Sequence, residues 1–148
     1  MRIIIISILV SGCIFAQGFL HNMDGEVVDG NGEPILLRGF GLGGWLVPEG
    51  YMLHNQAWIE GFESPTDIEN HVIDLIGQDE ANDFWELYRA NYVAQADIDK
   101  IAEWGFNHIR VPFHFKQFYD STGTETPIGY AIVDELITWC QPHNIYLI

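Results

Sequence analysis

Gly105-Phe106-Asn107-His108-Ile109-Arg110-Val111-Pro112 is the stretch that decides the fold. The run between the glycine and the proline is short and largely apolar, which predicts a buried strand over 106–111 rather than more helix. Alternation along a strand sends His108, Arg110 and Pro112 to one face and Asn107, Ile109 and Val111 to the other. The second face suits a helix layer. The first carries a cation into the interior or the mouth of the sheet, where a guanidinium needs a hydrogen-bonded partner to offset its lost hydration. An anionic group is therefore expected at Arg110.

Immediately upstream, Ile98, Ile101 and Ala102 form one side of a predicted amphipathic helix, with Asp97, Asp99, Lys100 and Glu103 mostly on the other. Gly105 stands where a left-handed cap is wanted. Before it, Ser64-Pro65-Thr66 starts a helix, with Thr66 and Glu69 spaced as a capping box and Gly77 as its end. Asp79 is the expected cap of a second helix, whose Phe84, Leu87 and Tyr88 share a face. Downstream, Tyr130–Cys140 reads as a helix burying Ile132, Val133, Leu136 and Ile137, stopped by Pro142. Ile145–Ile148 then reads as another buried strand.

Toward the N-terminus, turn signals at Asp24-Gly25 and at Asp29-Gly30-Asn31-Gly32 predict a small hairpin between Phe19 and Phe40. Ile35-Leu36-Leu37 reads as the first core strand, ending in the glycine-rich Gly39–Gly44. Strand, helices, strand, helix, strand is the α/β pattern of parallel strands with right-handed crossovers. A doubly wound sheet and an eightfold barrel share it locally; a barrel takes about 250 residues. The chain stops inside its last apolar run, so it is expected to be part of a longer domain.

Composition narrows the chemistry. With 48% hydrophobic and 14% aromatic residues the chain has material for a core, so disorder is not expected. A net charge of -15 repels polyanions, which argues against nucleic acid as a partner and fits a neutral substrate such as a sugar. Residues 1–17 have the order of a signal peptide: Arg2, an apolar run, then small residues up to Ala16. Secretion is expected, to the extracellular space or the periplasm, with cleavage near Ala16 or Gln17. Val10-Ser11-Gly12-Cys13 resembles a lipobox and leaves lipid anchoring at Cys13 as the alternative. Cleavage would leave Cys140 alone, with no intrachain disulfide.

Two stretches carry a family resemblance. Arg38-Gly39-Phe40-Gly41-Leu42-Gly43-Gly44-Trp45-Leu46 followed by Glu49 resembles the first strand and loop of glycoside hydrolase family 5, including its exo-glucanase-like members. Ile101-Ala102-Glu103-Trp104-Gly105, then Phe106 to Phe113, resembles that family's second strand. The resemblance implies an incomplete (β/α)8 TIM barrel: residues 18–148 would be the N-terminal hairpin and about the first three strands. It implies a retaining glycosidase acting on a β-linked polysaccharide; the residues themselves show no cofactor site, no metal-ligand spacing among the histidines and no evident protein partner. The acid/base and nucleophile glutamates belong to strands four and seven, so they are expected outside this chain, and the chain alone is expected to be inactive.

By the same resemblance Arg110 supports the nucleophile, and Glu49 binds sugar hydroxyls. Trp45 offers a flat face to a pyranose and His114 sits on the substrate side. Each has a plainer reading: a structural ion pair for Arg110, a solvated loop carboxylate for Glu49, core packing for Trp45, and a satisfied loop group for His114. A noncatalytic sugar-binding protein is the rival function. Gly39, Gly41 and Gly44 also spell the G-x-G-x-x-G of a dinucleotide-binding fold, but Trp45 to Gly50 lacks the helix N-terminus such a site needs.

Overall fold

The computed structural model describes residues 18–53 and 64–148. The expected leader, with Cys13 and the cleavage region at Ala16, lies outside the described residues. The chain divides into two units, one ending at Leu36 and one spanning Leu37–Ile148.

In the first unit, β1 (His21–Met23) pairs antiparallel with β2 (Glu26–Val28). Their turn is Asp24-Gly25, both at positive φ (53° and 89°), the geometry that matches the strand twist and favours this dipeptide. The second predicted turn is closed by the Asp29 carboxylate, which accepts the amides of Asn31 (2.8 Å) and Glu33 (3.0 Å). Those amides, Glu33's foremost, hold its carboxyl below the usual range.

Ile35 then donates to the Val27 carbonyl, so it extends the hairpin instead of starting the parallel sheet, and Leu36 is exposed. The first parallel strand is β3 (Gly39–Gly41), four residues later than expected. The reason is steric: Gly39 lies opposite His108, and a Cβ at Gly39 would collide with the His108 ring. The position selects glycine, so the strand lacks the apolar run by which strands are recognised.

The second unit holds a parallel sheet in the order β3, β4 (His108–Arg110), β5 (Tyr146–Leu147). Both predicted strands near 106–111 and 145–148 are present. A one-turn helix, α1 (Gly50–Leu53), follows β3. Helix α2 (Pro65–Ile76) is capped by Ser64, not by Thr66: Ser64 Oγ accepts the Asp67 amide (3.2 Å) and Asp67 accepts the Ser64 amide (3.1 Å). Proline at the first helical position sets the cap one residue before it. Thr66 and Glu69 instead both accept from Lys116 Nζ at 2.9 Å.

Gly77, at φ 89°, ends α2 and also starts α3 (Gln78–Tyr92), which leaves Asp79 inside the first turn. The inward face of α3 is rotated from the expected one: Ala81 is buried while Leu87 is 64% exposed. Helix α4 (Gln95–Glu103) buries Ile98 and Ile101, and Gly105 takes the left-handed conformation at φ 81°. Helix α5 (Pro127–Cys140) starts at Pro127, ahead of the predicted Tyr130, and buries Gly129, Leu136 and Cys140 but leaves Ile137 half exposed.

Ile98, Ile101, Ile109, Leu136, Cys140 and Ile145 form one core cluster with Trp45, Leu46 and Val93. Each fully enclosed branched side chain contributes about 1.5–3 kcal/mol relative to exposure. This cluster fastens α4 and α5 onto one face of the sheet and thereby fixes where the strand ends lie. Burial pushes the Cys140 thiol up to about 11, so it packs as an unreactive apolar group.

Candidate active site at the C-terminal ends of the strands

Because Ile109 is fully enclosed on the helix side, the period of two turns His108 and Arg110 to the opposite face. Arg110 is the last residue of β4, opposite Gly41 at the end of β3, and its carbonyl accepts the Leu42 amide (2.9 Å). The side chain is exposed, and among the described residues its guanidinium meets no carboxylate or other acceptor. The anion expected there, and the structural ion pair weighed against function, are therefore not found within the described residues. Beside it, the buried Nδ1 of His108 has no hydrogen-bond partner among the described residues.

Beyond β3 the chain turns through Gly43 and Gly44, the latter at φ 79°. The carbonyls of both are claimed by α3: Tyr92 donates its hydroxyl to Gly43 (3.2 Å) and Tyr88 to Gly44 (2.7 Å). Burial pushes the Tyr88 phenol up to about 12. A Cβ at Gly44 would lie 2.7 Å from the Tyr92 hydroxyl, and the ring of His108 accounts for Gly39. These contacts explain the glycines without a phosphate, and no helix begins directly after Gly44, so the dinucleotide reading fails on geometry.

Trp45 is 3% exposed and belongs to the core cluster, with Nε1 donating to the Arg89 carbonyl (2.8 Å). Of the two readings weighed for Trp45, its burial and its committed indole N–H favour core packing over a sugar platform. Glu49 is half-buried. The Glu49 carboxylate beside the Tyr51 hydroxyl raises that phenol above its ordinary value, and its Oε1 lies 3.7 Å from where a Gly43 Cβ would stand. Tyr51 and Tyr92 carry no signal in the sequence reading, and Tyr88 is read there only as part of a helix face; the one available signal is the four-residue spacing of the two helical tyrosines.

The loop after β4 runs beside this segment. His114 donates its amide to the Leu46 carbonyl (3.0 Å), which Gln117 Nε2 also reaches (3.3 Å). The His114 ring packs on Phe115 at 4.6 Å, and its Nδ1 accepts the Lys116 amide (3.3 Å). In neutral His114 the proton then sits on Nε2, which is a donor. The two loops thus bring Glu49 and His114 onto neighbouring segments at the end of the sheet where Arg110 sits, while Trp45 is withdrawn into the core.

A cavity of about 1000 Å³ lies elsewhere, between α2, α3 and residues 115–123. Trp85, Arg89, Phe115, Lys116 and Tyr119 line it, and none of Arg110, Glu49, Trp45 or His114 does. Burial lowers the Arg89 pKa, opposed by the nearby Glu86 and Glu69. Among the described residues no three His, Cys, Asp or Glu side chains converge as metal ligands.

Comparison with known proteins agrees on the family. The family model for cellulases (glycosyl hydrolase family 5) matches residues 62–148, more than half of the chain. A β-xylosidase of Phanerodontia chrysosporium is 29% identical over 126 residues, which is 83% of this chain and 25% of the relative. A glucan 1,3-beta-glucosidase of Kluyveromyces lactis is 27% identical over 151 residues, covering 95% of this chain and 33% of the relative. Endoglucanase C of Acetivibrio thermocellus is 32% identical over 59 residues, covering 38% of this chain and 17% of the relative. The chain spans a third or less of each of these proteins. Family 5 implies the (β/α)8 barrel, for which β3, β4 and β5 supply three neighbouring parallel strands of a barrel not closed by this chain. On the strength of a match across more than half of its length, this chain belongs to glycosyl hydrolase family 5.

Proposed function

We propose that this chain is the first part of the catalytic barrel of a secreted, retaining glycoside hydrolase that cleaves a β-glucan or a related plant or microbial polysaccharide. The observation that carries the reading is Arg110: a guanidinium at the C-terminal end of a parallel strand, on the face away from the helices, inside the family match. In α/β barrels that end of the sheet holds the active site. The names of the relatives, a β-xylosidase, a glucan 1,3-beta-glucosidase and an endoglucanase, support a β-linked polysaccharide. The apolar order of residues 1–17 supports export.

Retention requires two carboxyl groups about 5 Å apart, one as nucleophile and one as acid then base. In this reading both come from parts of the barrel outside this chain. Arg110 lies beside the nucleophile, keeps it ionised and fixes its direction of attack through paired N–H donors. Glu49 accepts hydrogen bonds from sugar hydroxyls, and His114 donates from Nε2. Because the chain spans at most a third of its relatives, the 148-residue piece alone lacks the two carboxylates and does not hydrolyse.

The test uses the full-length protein on β-1,3-glucan, β-1,4-glucan and xylan, with proton NMR following the anomer released first. Release of the β anomer is expected, and no release from residues 1–148 alone. First release of the α anomer, or binding of the glycans without cleavage, would replace this reading with an inverting enzyme or a noncatalytic sugar-binding protein.

A further inference from the structure

The segment that presents Glu49 is held by a helix distant in sequence. Tyr88 and Tyr92 sit one turn apart on α3, their rings 4.9 Å apart and tilted by 31°, and their hydroxyls donate to the successive carbonyls of Gly44 and Gly43. In the opposite direction, Trp45 Nε1 donates to the Arg89 carbonyl of the same helical turn. Three successive residues of the loop are thus bonded to one turn of helix. Gly43 is also the residue over which the Glu49 carboxylate lies. On the loop's other side, Leu46 is fully buried and its carbonyl takes the His114 amide. Between Gly44 and Gly50 only Val47 and Glu49 are not buried, so the carboxylate projects from an immobilised backbone.

We propose that the C-terminal turn of α3 is the positioning element for Glu49, with Tyr88 and, to a lesser degree, Tyr92 as positioning residues that set where this carboxylate meets the substrate. The proposal rests on the sugar-binding role read for Glu49 above. Tyr88 acts more strongly because its hydrogen bond is the shorter and the less exposed; Tyr92 is 40% exposed, and water competes for its hydroxyl. Phenylalanine at either site keeps the ring stack and removes only the donor. Loss of the donor leaves a glycine carbonyl unsatisfied and lets the Gly43-Gly44 turn move.

The experiment takes the full-length enzyme and measures kcat and KM for Tyr88→Phe, Tyr92→Phe, Glu49→Ala and each tyrosine change combined with Glu49→Ala. The exposed Leu87→Ala is the control on the same helix. Tyr88→Phe is expected to lower kcat/KM about tenfold and Tyr92→Phe about threefold, as befits single hydrogen bonds. Neither is expected to lower activity further once Glu49 is alanine, because positioning an absent carboxylate has no effect. Losses that multiply with Glu49→Ala would mean a general structural role and overturn the proposal. Hydrogen exchange decides the mechanical part without any activity: Tyr88→Phe should speed exchange of the Met52 and Leu53 amides, which bond the Glu49 carbonyl, and leave β4 unchanged. Unchanged exchange at both amides would overturn the proposal. A full-length protein that fails to cleave any β-glycan removes the hydrolase reading, while the exchange result still tells whether α3 holds the loop.

Discussion

On one face of β4, Ile109 is fully buried and clusters with Ile98, Ile101, Leu136 and Cys140; on the other, Arg110 is exposed and His108 leaves a buried Nδ1 without a partner. The helix face satisfies itself within this chain. The opposite face is not satisfied among the described residues: it carries a cation, an imidazole nitrogen with no partner there, and a glycine opposite that imidazole. The three strands therefore have one face packed into a core and another that, among the described residues, leaves polar groups without partners. In a closed barrel that second face is the interior, with Arg110 at the rim where substrate enters.

The sharpest way to break the contrast is Ile109→Ala, which should cost about 3–4 kcal/mol by loss of buried methyls and the cavity they leave. Arg110→Ala should change stability by no more than about 0.5 kcal/mol. Urea denaturation of the full-length protein measures both, and equal costs would mean the two faces are not distinct. Next in size, Gly39→Ala should cost about 2 kcal/mol because its methyl collides with the His108 ring. His108→Ala in the same molecule should recover most of that loss. If it does not, the collision is not what reserves position 39 for glycine.

Smaller than the Gly39 loss is the effect of a change remote from both faces, which calibrates what a purely local interaction contributes. Ser64→Ala should destabilise by about 1 kcal/mol by uncapping α2. The cap is also sensitive to acid. The Ser64 hydrogen bonds hold the Asp67 carboxyl below its usual 3.8 in the folded state. Its contribution is therefore complete above the unfolded value and is lost as pH falls through the folded one. Relative to the intrinsic exchange rate at each pH, protection of the amides in residues 65–76 should fall below about pH 4, and Asp67→Asn should abolish that dependence.

Strand β4 was legible because a glycine and a proline bound it, and because alternation alone assigns Ile109 to the helices and Arg110 away from them. The first strand was misplaced because it is Gly-Phe-Gly, chosen for clearance beside His108 and not for apolarity. Helix α2 was found but its cap was shifted, since Thr66-Glu69 and Ser64-Asp67 have the same spacing and Pro65 decides between them. At the site, Arg110, Glu49 and His114 stand in or beside two loops at one end of the sheet. Trp45 does not, because its indole N–H finds the Arg89 carbonyl 44 residues away. The tyrosine hold on Gly43 and Gly44 bridges a similar distance, and nothing in local pattern encodes such a pairing.

The most direct measurement is kcat/KM of Arg110→Ala in the full-length protein, with Tm recorded alongside. A supporting guanidinium for the nucleophile predicts a fall of about 100- to 1000-fold at an unchanged Tm. Activity within about threefold of the unaltered enzyme would contradict a catalytic role for this face of the sheet.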